Sequence, residues 1–192
     1  MKLNEQLPRS VIYKEKKYDL DLSFNNVLDV FDILKNDDWL DQEKIDLALF
    51  LLIGENDLDF DEQEELYQFI FENYIVIKDE YDKMIDLEGN VFFVNEEKEP
   101  VIDLVYDAKF IFASFYRIGI NLFEMHGKLH WHEFQALLSS LPDDTIMSQI
   151  VKIRTYRPQK NESAIYKAEM RTLQEKYSLE KRRLLEHVKR EH

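Results

Sequence analysis

DAKFIFASFYRIGINLFEMHGKLHWHEFQALLSSLPDDTIMSQIVKIR, residues 107–154, is the stretch that decides the fold class. With Leu104 just ahead of it, Ala108, Ile111 and Phe115 recur at helical spacing, and Val105, Phe112 and Tyr116 run beside them. Gly119 is the expected left-handed C-cap, because glycine has no Cβ to clash in that conformation. Gly127 turns the chain into a second pattern carrying Trp131, Phe134, Leu137 and Leu138. Leu141-Pro142-Asp143-Asp144 then stops that helix and starts another. The aromatic residues of 110–116 supply rings to face Trp131 and Phe134, so most of these side chains read as the core of a helical second half. Tyr116, Trp131, Phe134 and Leu138 are at the same time the candidate anchors for a partner, since buried aromatic side chains dominate interface energetics.

Composition agrees with a mainly α protein. The chain has 192 residues, 45 % hydrophobic and 13 % aromatic, enough to bury a sizeable core. Four glycines and four prolines leave few breakers, which favours helices over a strand-and-turn architecture. There is no cysteine, so disulfides, thiol catalysis and thiolate metal sites are excluded. The opening residues MKLNEQLPRS lack the apolar core of a signal peptide, and Leu47–Ile53 is too short to span a membrane.

Working outward, residues 9–22 alternate apolar and polar around Lys14–Lys17, which predicts a small β-hairpin with Val11 and Tyr13 facing Tyr18, Leu20 and Leu22. Residues 23–75 read as three helices. Ser23 caps the first, whose face is Phe24, Val27, Leu28, Phe31 and Leu34. Asp41 caps the second, nearly all apolar after Ile45. Asp61-Glu62-Gln63-Glu64 resembles a capping box for the third, with Leu66, Phe69, Ile70 and Tyr74 on its stripe. Residues 76–102 form a variable linker with room for a short hairpin at Val91-Phe92-Phe93-Val94. Residues 103–152 return to helix. Residues 158–192 form an extended, charged C-terminal helix with a thin apolar seam, of which Ile165, Leu173, Tyr177, Leu184 and Val188 are the candidate self-association residues. The division expected is an acidic helical body over 1–157 and this tail.

Charge is uneven. Residues 158–192 carry nine Lys/Arg against six Asp/Glu, whereas 1–157 carry 16 against 33, and 29–65 alone hold 14 carboxylates with only Lys35 and Lys44. Such a body repels phosphate backbones and anionic membranes. A basic protein partner, or the tail of another copy, is its natural complement; acids at helix starts also favour the macrodipole.

Chemistry is sparse. Asp57, Asp59 and Asp61 open like a calcium loop, but Glu62 stands where glycine is needed and Gln68 where a bidentate glutamate is needed. His126, His130 and His132 lie close in sequence, yet the last two would project from different helix faces, and zinc needs convergent ligands. No phosphate-cradling glycine loop and no nucleophile motif is present. The reading is non-catalytic, with no metal and no cofactor.

The series Asp107-Ala108, Ala113-Ser114-Phe115, Gly119-Ile120-Asn121-Leu122, Leu129-His130-Trp131, Phe134, Leu137-Leu138, Leu141-Pro142-Asp143-Asp144-Thr145, Ile150 and Ile153-Arg154 resembles the bacteriophage "gene product fifteen" family of siphophages and prophages of Gram-positive hosts. The resemblance extends over roughly residues 9–180, with departures at Asn121, where aspartate is expected, and at His132, where an aromatic is common. It implies a place among tail-morphogenesis proteins and a tail assembly chaperone that binds the tape-measure protein, with the major tail protein a further candidate partner. Homo-oligomers, a host-cytoplasmic location and absence from the mature virion go with that role. Two other readings stand beside it: an acidic DNA mimic that inhibits a DNA-binding protein, and a structural tail or head-completion subunit.

Overall fold

The computed structural model of the chain describes residues 3–76, the strand backbones at 83–85 and 90–93, and residues 101–179. The fold is mainly α, with seven α-helices among the described residues and a two-stranded hairpin at the N-terminus. None of these helices is long and apolar enough to cross a membrane.

Strands β1 (Ser10–Tyr13) and β2 (Lys16–Asp19) pair antiparallel, with Val11 opposite Tyr18 and Tyr13 opposite Lys16. The two-residue turn between them holds Lys14 at φ 45° and Glu15 at φ 65°. That left-handed geometry matches the twist of a hairpin but strains any residue with a Cβ. The strain is offset by contacts to the third helix and the loop before it: the Tyr13 hydroxyl donates to Glu65 at 2.6 Å, Lys14 pairs with Glu62 at 2.8 Å, and Lys16 pairs with Asp57. Replacing Glu15 by glycine is expected to stabilise the chain by about 1 kcal/mol, read as a higher urea midpoint at unchanged slope. An unchanged or lower midpoint would show that the turn carries no strain.

Helices α1 (Phe24–Leu34), α2 (Asp41–Ile53) and α3 (Phe60–Ile70) follow as expected, the starts of α2 and α3 lying slightly earlier. Ser23 sits at the N-cap of α1 without a side-chain cap bond. The N-cap of α2 is Leu40, one residue before Asp41; the Glu43 carboxylate accepts from its N–H at 2.9 Å. The capping box of α3 lies two residues earlier than the sequence suggests. Asp59 accepts from Glu62 N–H at 3.0 Å and Glu62 returns the bond at 3.2 Å. Within α3 the buried stripe is Leu66, Tyr67 and Ile70, while Phe69 faces outward. Beyond it, a π-helical turn at Phe71–Ile75 widens the helix and brings Phe71 and Ile75, rather than Tyr74, into the core.

The linker contains β3 (Lys83–Ile85) and β4 (Asn90–Phe93), which extend with β5 (Ile102–Asp103) into a three-stranded antiparallel sheet. Helices α4 (Ala108–Arg117), α5 (Trp131–Ser139) and α6 (Ile146–Arg154) fall where the 107–154 stretch places them. Gly119 at φ 87° ends α4 as expected: Ile120 N–H reaches Phe115 C=O at 2.9 Å and Gly119 N–H reaches Tyr116 C=O at 3.0 Å. A 3-10 turn at Leu122–Met125 leads to Gly127. Helix α7 (Ala164–Tyr177) starts at the Ser163 cap and packs on α6; Ser178 then turns extended, φ −56° and ψ 131°. The extended helix expected over 158–192 thus begins at Ala164 and breaks at Ser178, and the Tyr177 carbonyl accepts from Arg154 Nε at 2.8 Å. Residues 180–192 lie outside the described residues. A single hydrophobic cluster joins hairpin, α1–α3 and α4–α6.

Candidate functional site

Three of the four candidate anchors are core. Trp131, Phe134 and Leu138 on α5 are buried against α1 and α4. Phe24 and Phe115 both stack on Phe134, at 5.1 and 5.3 Å between ring centroids. Trp131 lies 5.5 Å from Phe134 and meets Phe31 edge-on at 5.7 Å. Tyr116 is the exception and is 63 % exposed.

Tyr116 belongs to a row of rings. It stacks at 5.9 Å on half-buried Phe112, one helical turn back, and Phe123 comes over Phe112 at 5.0 Å from the 3-10 turn. Phe123 is 70 % exposed. His126 bridges Phe123 at 6.0 Å to Phe24 at 5.6 Å, so aromatic contacts run unbroken from the surface into the core. Rings held this way lose little side-chain freedom on docking, and large apolar side chains left open side by side mark contact sites. Sequence reasoning missed Phe123. It sits between two glycines in a segment with no helical period, and the fold alone carries it to α4.

The histidines have structural work. His130 is the N-cap of α5, outside the helix proper, so its ring folds back and lies 4.9 Å from that of His132. That corrects the expectation of separate faces. His130 Nδ1 accepts from His132 N–H at 3.1 Å, its Nε2–H donates to Pro8 C=O at 3.1 Å, and His132 Nε2–H donates to Tyr74 C=O at 2.7 Å. The accepting Nδ1 requires the His130 ring neutral, with its proton on Nε2. Burial holds both below the ordinary histidine range. Glu133 and Asp21 near His130 oppose that shift, and Arg9 adds to it.

The sign of the linkage follows. Near pH 6 the unfolded chain binds protons that the folded chain refuses, so stability is full above the ordinary value of about 6.5 and falls as the pH drops below it. The melting temperature is expected to fall between pH 7.5 and 5.5. A chain with His130→Asn and His132→Gln should lose less over the same interval, because Asn also caps a helix but does not titrate. An equal loss would place the effect on the carboxylates.

Around His130 the two halves clasp. Trp131 N–H donates to Leu22 C=O at 2.7 Å and Phe24 N–H to Leu129 C=O at 2.9 Å, forming a short antiparallel bridge. The Trp131 indole N–H donates to Ile75 C=O at 2.9 Å, and Gly127 N–H, at a glycine with φ 68°, donates to Asn25 Oδ1 at 2.8 Å.

The ends of the 107–154 stretch also meet. The Arg154 guanidinium grips Asp107 with two bonds, 2.5 and 2.8 Å, with side chains 9 % and 0 % exposed. It also donates to Val101 C=O at 2.8 Å, while Asp107 accepts from Asp103 N–H at 3.0 Å. Carboxylates elsewhere serve similar ends: Asp57 is held below its usual range by the Lys16 ammonium, and Asp59 caps α3.

With this geometry in place, comparison with known families is decisive. A family model described as Bacteriophage Gp15 protein matches residues 3–179. The chain belongs to the bacteriophage Gp15 family. No curated protein and no solved structure matches it. In this Gp15-family chain, the matched range includes the Leu129-His130-Trp131 clasp and the buried Asp107–Arg154 pair. The candidate self-association seam divides. Tyr177 turns inward and meets Phe110 edge-on at 6.0 Å, Leu173 is half-buried, and Ile165 faces outward. Leu184 and Val188 lie outside the described residues.

Proposed function

We propose that this Gp15-family protein is a non-catalytic tail assembly chaperone that binds the tape-measure protein in the host cytoplasm and keeps it soluble until the tail tube forms. The observation that carries this reading is the open, pre-ordered row of Phe112, Tyr116 and Phe123 on a phage-family body. Support also comes from the use made of the polar candidates: the ring nitrogens of His130 and His132 bond backbone, and Asp59 and Glu43 serve helix starts. Acids so placed suit capping better than the exposed line a DNA mimic requires. Ile165, exposed on α7, remains for contact between copies.

Co-expression with the tape-measure protein of the same phage is expected to raise its solubility and give a co-purifying complex. Mass spectrometry of purified virions is expected to find none of this chain. No gain in solubility, together with the chain present in virions, would replace the chaperone by a structural tail subunit.

A further inference from the structure

We infer that α7 is a strap, closed over α4 and α6, that opens as one unit while the rest of the fold stays intact. The inference does not depend on the chaperone reading and concerns how the chain moves.

Burial separates α7 from its neighbours. Helices α1–α5 each bury three or more residues and α6 buries Met147 and Ile150, whereas α7 buries none of its 14. Its inner face, Met170, Leu173, Gln174 and Tyr177 at helical spacing, is only half-buried. Leu179, just past the break at Ser178, is buried but stands outside the hydrophobic cluster. Lifting α7 therefore uncovers little that the core needs, and elements so placed open before the rest. Once released, a helix of this length is marginal in water and melts, so its amides lose protection together.

The polar contacts have the same division. Arg154 is fixed to the body by the Asp107 and Val101 bonds, and its Nε–H is turned to the Tyr177 carbonyl at the far end of α7. Gln174 Nε2 donates to Tyr156 C=O at 2.9 Å, and Tyr177 lies on Phe110. At the near end the pivot holds itself: the Gln159 N–H donates to Glu162 at 2.8 Å, and so does the Tyr156 hydroxyl. Those two bonds lie within 156–162 and do not require α7 to be down. Opening bares Phe110 together with Leu173 and Tyr177, two residues of the candidate self-association seam.

Native-state hydrogen exchange on the full chain, read amide by amide by NMR from zero to about 2 M urea, tests this. The α7 amides of residues 168–177 are expected to share one opening constant, about 100-fold or more above that of α5, with a smaller urea slope because less surface is exposed. Ile70→Val, a conservative core change on α3, should raise the α5 opening constant about three- to tenfold and leave that of α7 unchanged. A shared constant and slope for α7 and α5, or an Ile70→Val effect equal in both, would make α7 part of one cooperative block and overturn the inference. Protection that fades gradually along α7, or exchange there as fast as in an unfolded chain, would overturn it as well.

Discussion

An Arg154→Ala chain is expected to lose about 3–5 kcal/mol of unfolding free energy, a large share of the roughly 5–15 kcal/mol of a typical domain. The reason is the group left behind. Asp107 is fully buried, and without the guanidinium it loses two charge-assisted bonds in a dry site. The Val101 and Tyr177 carbonyls lose a donor as well. Urea unfolding should show the loss as a lower midpoint, and proteolysis within 158–179 should speed up, because Arg154 ties the end of α7 to α6. Joint replacement, Asp107→Leu with Arg154→Met, should recover a substantial part, since a buried pair exchanged for apolar residues costs far less than a pair broken. A loss below about 1 kcal/mol for Arg154→Ala would mean that the buried carboxylate finds another partner.

The second large effect belongs to Trp131. Trp131→Ala should cost about 3–5 kcal/mol, because the residue is fully enclosed by Phe31, Phe134 and their neighbours and its removal leaves a cavity. It also strips the Ile75 carbonyl of its indole donor, at about 1–3 kcal/mol where no water replaces it. Trp131→Phe separates the two contributions, keeping a ring while losing the bond. The chain has only one other tryptophan, Trp39, so Trp39→Phe makes Trp131 the sole indole reporter. Its emission should be blue-shifted when folded and move red in one step with the urea transition. A small loss in Trp131→Ala, under about 1 kcal/mol, would mean the core closes over the gap.

Local signals in the sequence resolved well. The helical period of 108–117, the glycine stop at 119 and the Pro142 break each depend on a few neighbouring residues, and each stands where the pattern puts it. Features that depend on distant residues did not resolve. Asp107 and Arg154 are 47 positions apart, and nothing local reveals that they pair. Sequence spacing puts His130 on a helix face, whereas it is a cap, an uncommon place for histidine, with its Nε2 on Pro8, 122 residues away. The π turn buries Phe71 and Ile75 in place of Tyr74, which a uniform 3.6 residues per turn does not predict. For the site, the sequence places Tyr116 among four candidate anchors without separating it from the three that are buried, and Phe123 requires the chain to fold back after Gly119.

The clasp at Leu129–His132 has a consequence for the order in which the protein is made. The carbonyls of Pro8, Leu22, Tyr74 and Ile75 wait for donors supplied by His130, Trp131 and His132. A growing chain released only as far as α3 carries those acceptors unmet and the face of Phe24 and Phe31 uncovered. The acidic first half is therefore a fold on deposit, redeemed when the ribosome has delivered α5. A message cut short before that point yields a chain with the Phe24 and Phe31 face open to solvent.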